Sequence, residues 1–196
     1  RYPFPYDPPY VPFVNPCGAY KRDFQYQKRA GKRAILACEG IDSCYYLWIN
    51  GRFVGYSQIS YSTSRFDITD HIKNGDNTIS ILVLKWCDGS YLEDQDKFRM
   101  SGIFRDIYII ERDESCIEDI KVTTDIMPHG AEIAVGLSLS GGNPVVRYQL
   151  FSPGGNVISS GIYEDGLSIK VESPKLWTAE TPELYTLLLH CGTEYI

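Results

Sequence analysis

Tyr45-Tyr46-Leu47-Trp48-Ile49-Asn50-Gly51-Arg52-Phe53-Val54-Gly55-Tyr56 is the stretch on which the reading of the fold turns. Successive side chains of a strand point to opposite faces, so Tyr45, Leu47 and Ile49 share one parity and Tyr46 and Trp48 the other. Asn50-Gly51 supplies two adjacent residues that tolerate positive φ, the requirement of a two-residue hairpin turn. The apolar run from Phe53 to Tyr56 then returns along the first strand. A β-hairpin is predicted here.

Outward from the hairpin the signals remain those of strands. Ile79 to Trp86 is a nearly continuous apolar run of strand length, which predicts a central strand buried on both faces, and Phe104 to Ile110 reads the same way. One short helical turn is expected around Ile68 to Ile72. Towards the start, Pro3, Pro5, Pro8, Pro9, Pro12 and Pro16 are interleaved with Tyr2, Phe4, Tyr6, Tyr10 and Phe13. Proline fixes φ and lacks an amide donor, so this segment is an extended strap, expected to pack its aromatics onto the body.

The charged cluster Arg112-Asp113-Glu114-Ser115 marks a break, giving domains 1–112 and 113–196. Beyond it the alternation is cleaner. Ile133, Val135, Leu137 and Leu139 share one face, as do Leu167, Ile169 and Val171, and Tyr185, Leu187 and Leu189. Gly141-Gly142-Asn143-Pro144 and Pro153-Gly154-Gly155-Asn156 form the links, so a small two-sheet sandwich is expected. Trp177, in Ser173-Pro174-Lys175-Leu176-Trp177 ahead of Pro182-Glu183-Leu184-Tyr185, reads as a core or inter-sheet tryptophan. The whole chain is predicted to be all-β.

Composition excludes several classes. The net charge of −6 and the absence of a basic stripe argue against nucleic acid. No apolar run approaches the roughly 18 residues of a membrane span. The 6 cysteines show no C-x-x-C pair, and His71, His129 and His190 are scattered, so a zinc site is not expected. Several cysteines lie in apolar strand-like runs, which favours buried free thiols and a cytoplasmic setting. No G-x-S-x-G, H-E-x-x-H, Walker or G-x-G-x-x-G motif occurs.

One segment departs from the sheet background: Asp88-Gly89-Ser90-Tyr91-Leu92-Glu93-Asp94-Gln95-Asp96, continuing to Phe98, Arg99 and Met100. Four carboxylates between two strong strands exceed what a tight turn requires. Carboxylates accept hydrogen bonds from sugar hydroxyls and ligate hard cations, and Tyr91 and Phe98 offer flat faces to a pyranose. The bland alternative is a solvated acidic loop paired with Arg99 and Arg105. The acid spacing does not fit an EF-hand.

Lys85-Trp86-Cys87-Asp88-Gly89-Ser90-Tyr91-Leu92-Glu93-Asp94-Gln95-Asp96, with Phe98-Arg99-Met100-Ser101-Gly102-Ile103-Phe104-Arg105-Asp106, resembles a hallmark of the large β-galactosidases of glycoside hydrolase family 2. The strap, the hairpin and the Pro174–Trp177 and Pro182–Tyr185 segments are similar to the same family, so the resemblance covers essentially the whole chain. It implies a jelly-roll, sugar-binding-type sandwich over 1–112, an immunoglobulin-like sandwich over 113–196, and truncation of both at the outer ends. Exposed strand edges would then make the fragment alone prone to associate.

The resemblance further implies that the catalytic acid/base and nucleophile of a retaining mechanism, carboxyl groups roughly 5 Å apart, belong to a following barrel. No catalytic residue is therefore expected in this chain. Asp96 matches the family aspartate that contacts the galactosyl 6-hydroxyl and helps ligate sodium, the other ligands coming from the barrel. Glu93, Asp94 and Arg99 match the motif as supports of the loop, and Phe98 stands where the family has tryptophan. Magnesium and homo-oligomers belong to full-length members, with no magnesium ligand expected here. The competing reading is a stand-alone carbohydrate-binding sandwich, disfavoured because one loop buries little of a sugar.

Overall fold

The Asn50-Gly51 turn holds φ of 52° and 77° at its two central residues, the mirror-image geometry that matches the twist of paired strands. In the computed structural model, which describes residues 6–93 and 100–196, the chain forms two compact units, Arg1–Arg112 and Asp113–Ile196.

The first unit contains strands β1 (Cys17–Tyr26), β2 (Lys32–Cys38), β3 (Ile41–Asp42), β4 (Cys44–Ile49), β5 (Arg52–Ser57), β6 (Ser64–Asp67), β7 (Gly75–Leu84), β8 (Gly102–Ile103) and β9 (Ile107–Asp113). One antiparallel sheet runs β1-β7-β4-β5, a second β6-β2-β9, and β3 pairs with β8. Tyr45, Leu47 and Ile49 of β4 face a common core with Leu36 of β2 and Ile81 and Val83 of β7, all at most 4% exposed. The opposite parity of the hairpin carries Tyr46, Trp48, Phe53 and Tyr56 in one aromatic cluster, ring centroids 5.0 to 6.5 Å apart. A bulge between Leu47 and Trp48 offsets the register, Leu47 opposing Gly55 and Trp48 opposing Phe53.

β7 is central, flanked by β1 and β4, but it begins at Gly75 and ends at Leu84, and only its Asn77-Ile81-Val83 parity is fully buried. The run expected from Phe104 is corrected too. β9 starts at Ile107 and lies at the end of its sheet, and Phe104 is 40% exposed. A single helical turn forms where expected, the amides of His71 and Ile72 both donating to the Ile68 carbonyl. Two of the strap's aromatics do not pack as predicted, Tyr10 being 70% and Phe13 fully exposed, while Tyr2 and Phe4 lie outside the described residues. Proline imposed the extended backbone, but nothing in the sequence named a surface for those rings.

The second unit holds β10 (Ile117–Met127), β11 (Gly130–Leu139), β12 (Val146–Phe151), β13 (Val157–Ile162), β14 (Ser168–Glu172), β15 (Thr186–Cys191) and β16 (Glu194–Tyr195). Its sheets are β10-β11-β14 and β13-β12-β15-β16. Ile133, Val135, Ile169 and Val171 from one and Leu150 from the other share a core, so the alternating apolar positions point as the pattern requires. Trp177 is a correction: it is 59% exposed and stands with Leu176 and Leu184 beside an open apolar groove, because Pro174 and Pro182 keep this segment out of either sheet. All six cysteines are free thiols, five of them buried. No helix among the described residues is long and apolar enough to cross a membrane.

Candidate functional site

The acidic segment leaves the first sheet immediately after β7. Asn15, in the strap, brackets Trp86 with both ends of its amide: Nδ2 donates to the Trp86 carbonyl at 2.8 Å and Oδ1 accepts from the Trp86 amide at 3.0 Å. Lys85 donates its amide to the Pro16 carbonyl at 2.9 Å. A 3-10 helix, Asp88–Tyr91, follows, with Cys87 at its N-terminal cap. The Tyr91 hydroxyl reaches back to the carbonyls of Tyr10, at 2.5 Å, and Tyr6, at 3.1 Å. Having one proton, it commits to the shorter bond. Tyr91 thus fastens the strap to the loop, where the sequence suggested a flat face for a sugar.

Beneath the helix lies a polar knot sealed from solvent. Asp42 is 6%, Ser43 3%, and Ser60 and Ser90 0% exposed. Glu93 joins it with both carboxylate oxygens: the Ser60 amide donates to Oε1 at 3.0 Å and the Ser60 hydroxyl to Oε2 at 2.6 Å. Ser43 Oγ donates to Asp42 Oδ1 at 2.7 Å and contacts Ser90 Oγ at 3.0 Å. The Cys87 amide donates to Ser90 Oγ at 3.1 Å. Buried polar groups cost stability unless so paired.

Cys87 and Cys44 form a thiol pair beside the knot. The neighbouring Cys44 thiol draws the Cys87 thiol below its ordinary value, helped by Ser90 and the amides of Gly89 and Ser90 against the opposing effect of burial. The Cys87 thiol in turn, together with burial, pushes Cys44 up. Among the described residues no three His, Cys, Asp or Glu side chains converge as a metal site.

Of the residues singled out from sequence, Glu93 is therefore placed, its carboxylate spent on Ser60. Asp94, Asp96, Phe98 and Arg99 lie in 94–99, outside the described residues. What sequence reasoning missed is the knot. Asp42, Ser43 and Ser60 sit 28 to 46 positions upstream of Asp88 in unremarkable strand and turn contexts, and no spacing rule links them to the loop.

Comparisons with known proteins agree with this architecture. Residues 1–113 match the family described as "Glycosyl hydrolases family 2, sugar binding domain", and residues 115–194 match "Glycosyl hydrolases family 2". The chain is 48% identical to a β-galactosidase of Actinobacillus pleuropneumoniae and 44% identical to one of Staphylococcus xylosus. In both cases 100% of this chain is covered and 20% of the relative, so the chain spans about a fifth of the length of the curated relatives it matches. Among solved structures, an FMN-binding β-glucuronidase from Facaelibacterium prausnitzii L2-6 superposes with a TM-score of 0.77 at 24% identity, over 91% of this chain and 30% of that one. A β-glucuronidase of an uncultured Clostridium gives 0.78 at 19% identity, over 91% and 33%. At such identity the likeness speaks for the fold alone, a sugar-binding-type jelly roll followed by an immunoglobulin-like sandwich. The chain belongs to glycosyl hydrolase family 2.

Proposed function

We propose that the chain is the non-catalytic N-terminal region of a retaining β-galactosidase that hydrolyses terminal β-D-galactosides. The observation that carries this is the 48% identity to a β-galactosidase along the entire chain, across the segment that resembles the galactosidase acidic loop. The two sandwiches act as scaffold, and the loop after β7 supplies one site residue to an active site built elsewhere. Asp96 accepts a hydrogen bond from the galactosyl 6-hydroxyl and gives one oxygen ligand to a sodium ion, a hard cation that takes oxygen donors. Glu93, Asp94 and Arg99 support the loop. For Glu93 the support comes from its two bonds to Ser60.

The test is made on the complete reading frame. Its product is assayed with an aryl β-galactoside over a range of sodium concentrations, beside the corresponding β-glucuronide and beside Asp96→Ala. Galactoside turnover that responds to sodium, with a raised KM and a blunted sodium response in Asp96→Ala, is expected. Turnover of the glucuronide instead of the galactoside would overturn the substrate assignment. An unaltered sodium response in Asp96→Ala would remove the role given to that residue.

A further inference from the structure

Two stems flank the loop that carries Asp96, and both end on the same residue. The entry stem, Cys87 to Glu93, reaches Asp42 through serine hydroxyls. The exit stem is β8, whose Gly102 pairs directly with Asp42 and whose Ile103 pairs with Ile41. We propose that Asp42 is a positioning residue that holds the two stems in register and so sets where Asp96 is presented to the galactoside. This rests on the role given to Asp96 above.

Hydrogen-bond polarity supports the assignment. Ser43 Oγ donates its single proton to Asp42 Oδ1, at 2.7 Å. Ser43 Oγ can then only accept from Ser90 Oγ, at 3.0 Å, and Ser90 in turn accepts from the Cys87 amide at 3.1 Å. The chain from the cap of the 3-10 helix to Asp42 therefore runs in one direction, with Asp42 as its terminal acceptor. Ser60 makes the second link. Its hydroxyl lies 2.6 Å from Glu93 and 3.2 Å from Asp42, so it serves Glu93 while keeping Asp42 in reach.

A buried carboxylate is a costly way to fill this position for stability alone. An apolar side chain of similar volume would often serve the fold as well. Such a side chain could not terminate the serine chain. What Asp42 contributes is direction and register, which a site residue displayed on a loop needs to within about 0.5 Å.

The experiment compares Asp42→Ala, Asp42→Asn, Ser43→Ala and Asp96→Ala in the complete enzyme, reading KM, kcat, the sodium response and the melting temperature. Asp42→Ala is expected to raise KM about three- to tenfold, the scale of one lost buried hydrogen bond, and to weaken the sodium response in the same sense as Asp96→Ala. Ser43→Ala, which removes one link and leaves the core intact, should move the same quantities less. Asp42→Asn should restore them, because its carbonyl oxygen still accepts from Ser43. A lowered melting temperature with unchanged KM and sodium response in both alanine variants would overturn the inference, leaving the knot a brace for the fold. If Asp96→Ala leaves these readouts unchanged, the role of Asp96 fails. Asp42 is then judged by hydrogen exchange at Gly102 and Ile103, where exchange in Asp42→Ala at the wild-type rate would overturn the register as well.

Discussion

The Asn50 side-chain amide donates to Asn77 Oδ1 at 2.8 Å, joining the hairpin turn to the first third of the central strand β7. The bond is part of a saturated set. Asn77 Oδ1 also accepts from the Lys73 amide at 2.9 Å, and its Nδ2 donates to the carbonyls of Lys73 and Gly75 at 2.7 and 2.9 Å. Asn50 meanwhile donates to the His71 carbonyl and accepts from the Thr78 amide. Asn77 is 2% exposed, so its removal deprives several part-buried groups of their partner. Asn77→Ala should cost the first unit about 3 kcal/mol, read as a lower urea midpoint at unchanged slope. A loss below about 0.5 kcal/mol, the range of an ordinary surface substitution, would mean the set is dispensable.

Gly55, in the returning strand of the hairpin, is held by a close approach. A Cβ there would lie 2.5 and 2.8 Å from two ring carbons of Phe66. That ring packs edge-on against Tyr45, centroids 6.2 Å apart, at the margin of the core. Gly55→Ala should therefore destabilise by about 2 kcal/mol through overpacking, although alanine suits a strand better than glycine. The paired variant Gly55→Ala/Phe66→Leu, which removes the ring edge, should recover part of the loss in a double-mutant cycle.

These two positions mark how far the sequence could be read. Alternation and the Asn-Gly turn specify β4 and β5 because a two-residue period and a positive-φ pair are local properties. The same logic placed the facing strands of the second unit through Ile133, Val135, Ile169 and Val171. The partners of Asn77 and Gly55 are set by tertiary contact and leave no periodic trace. Trp177 was misread because burial was inferred from residue type, while Pro174 and Pro182 had already removed the segment from both sheets. At the candidate site, the loop announced itself by charge density and resemblance. Asp42 gave no signal, since a lone acid beside a serine is ordinary until its strand is seen to pair with Gly102.

The thiols separate acidity from access. Cys87 is the most acidic of the perturbed cysteines, yet it is only 7% exposed. Cys17 is exposed on β1. Thiolate character speeds reaction only where a reagent can reach the sulfur. With an aromatic disulfide reagent at neutral pH, one fast equivalent assigned to Cys17 is expected, and the remaining five should react at the rate of opening or unfolding. Cys17→Ser should abolish the fast phase. If the fast phase persists in Cys17→Ser and disappears in Cys87→Ser, the knot opens far more readily than its burial implies.

Acid should weaken the junction of β2 and β6. Burial by itself pushes the Asp67 carboxyl up, but the Thr69 hydroxyl and amide and the Arg33 guanidinium outweigh it and hold the group below its ordinary value of 3.8. Thr69 donates to Oδ1 with its amide at 3.0 Å and its hydroxyl at 2.5 Å, and Arg33 Nε donates to Oδ2 at 3.0 Å. A depressed carboxyl contributes stability that is complete above the unfolded-state value and is lost as pH falls through the folded one. The contribution is small because Asp67 is half-open to solvent, with 45% of its side chain exposed. Asp67→Asn keeps an acceptor for Thr69 but not the charge. The variant should therefore melt below the wild type at neutral pH, and the gap should close as pH drops below about 3.8. A gap that stays constant from neutral to strongly acidic solution would show that shape, and not ionisation, is what Asp67 contributes. Raising the salt concentration at neutral pH should narrow the gap only slightly, because two of the three donors to Asp67 belong to the uncharged Thr69.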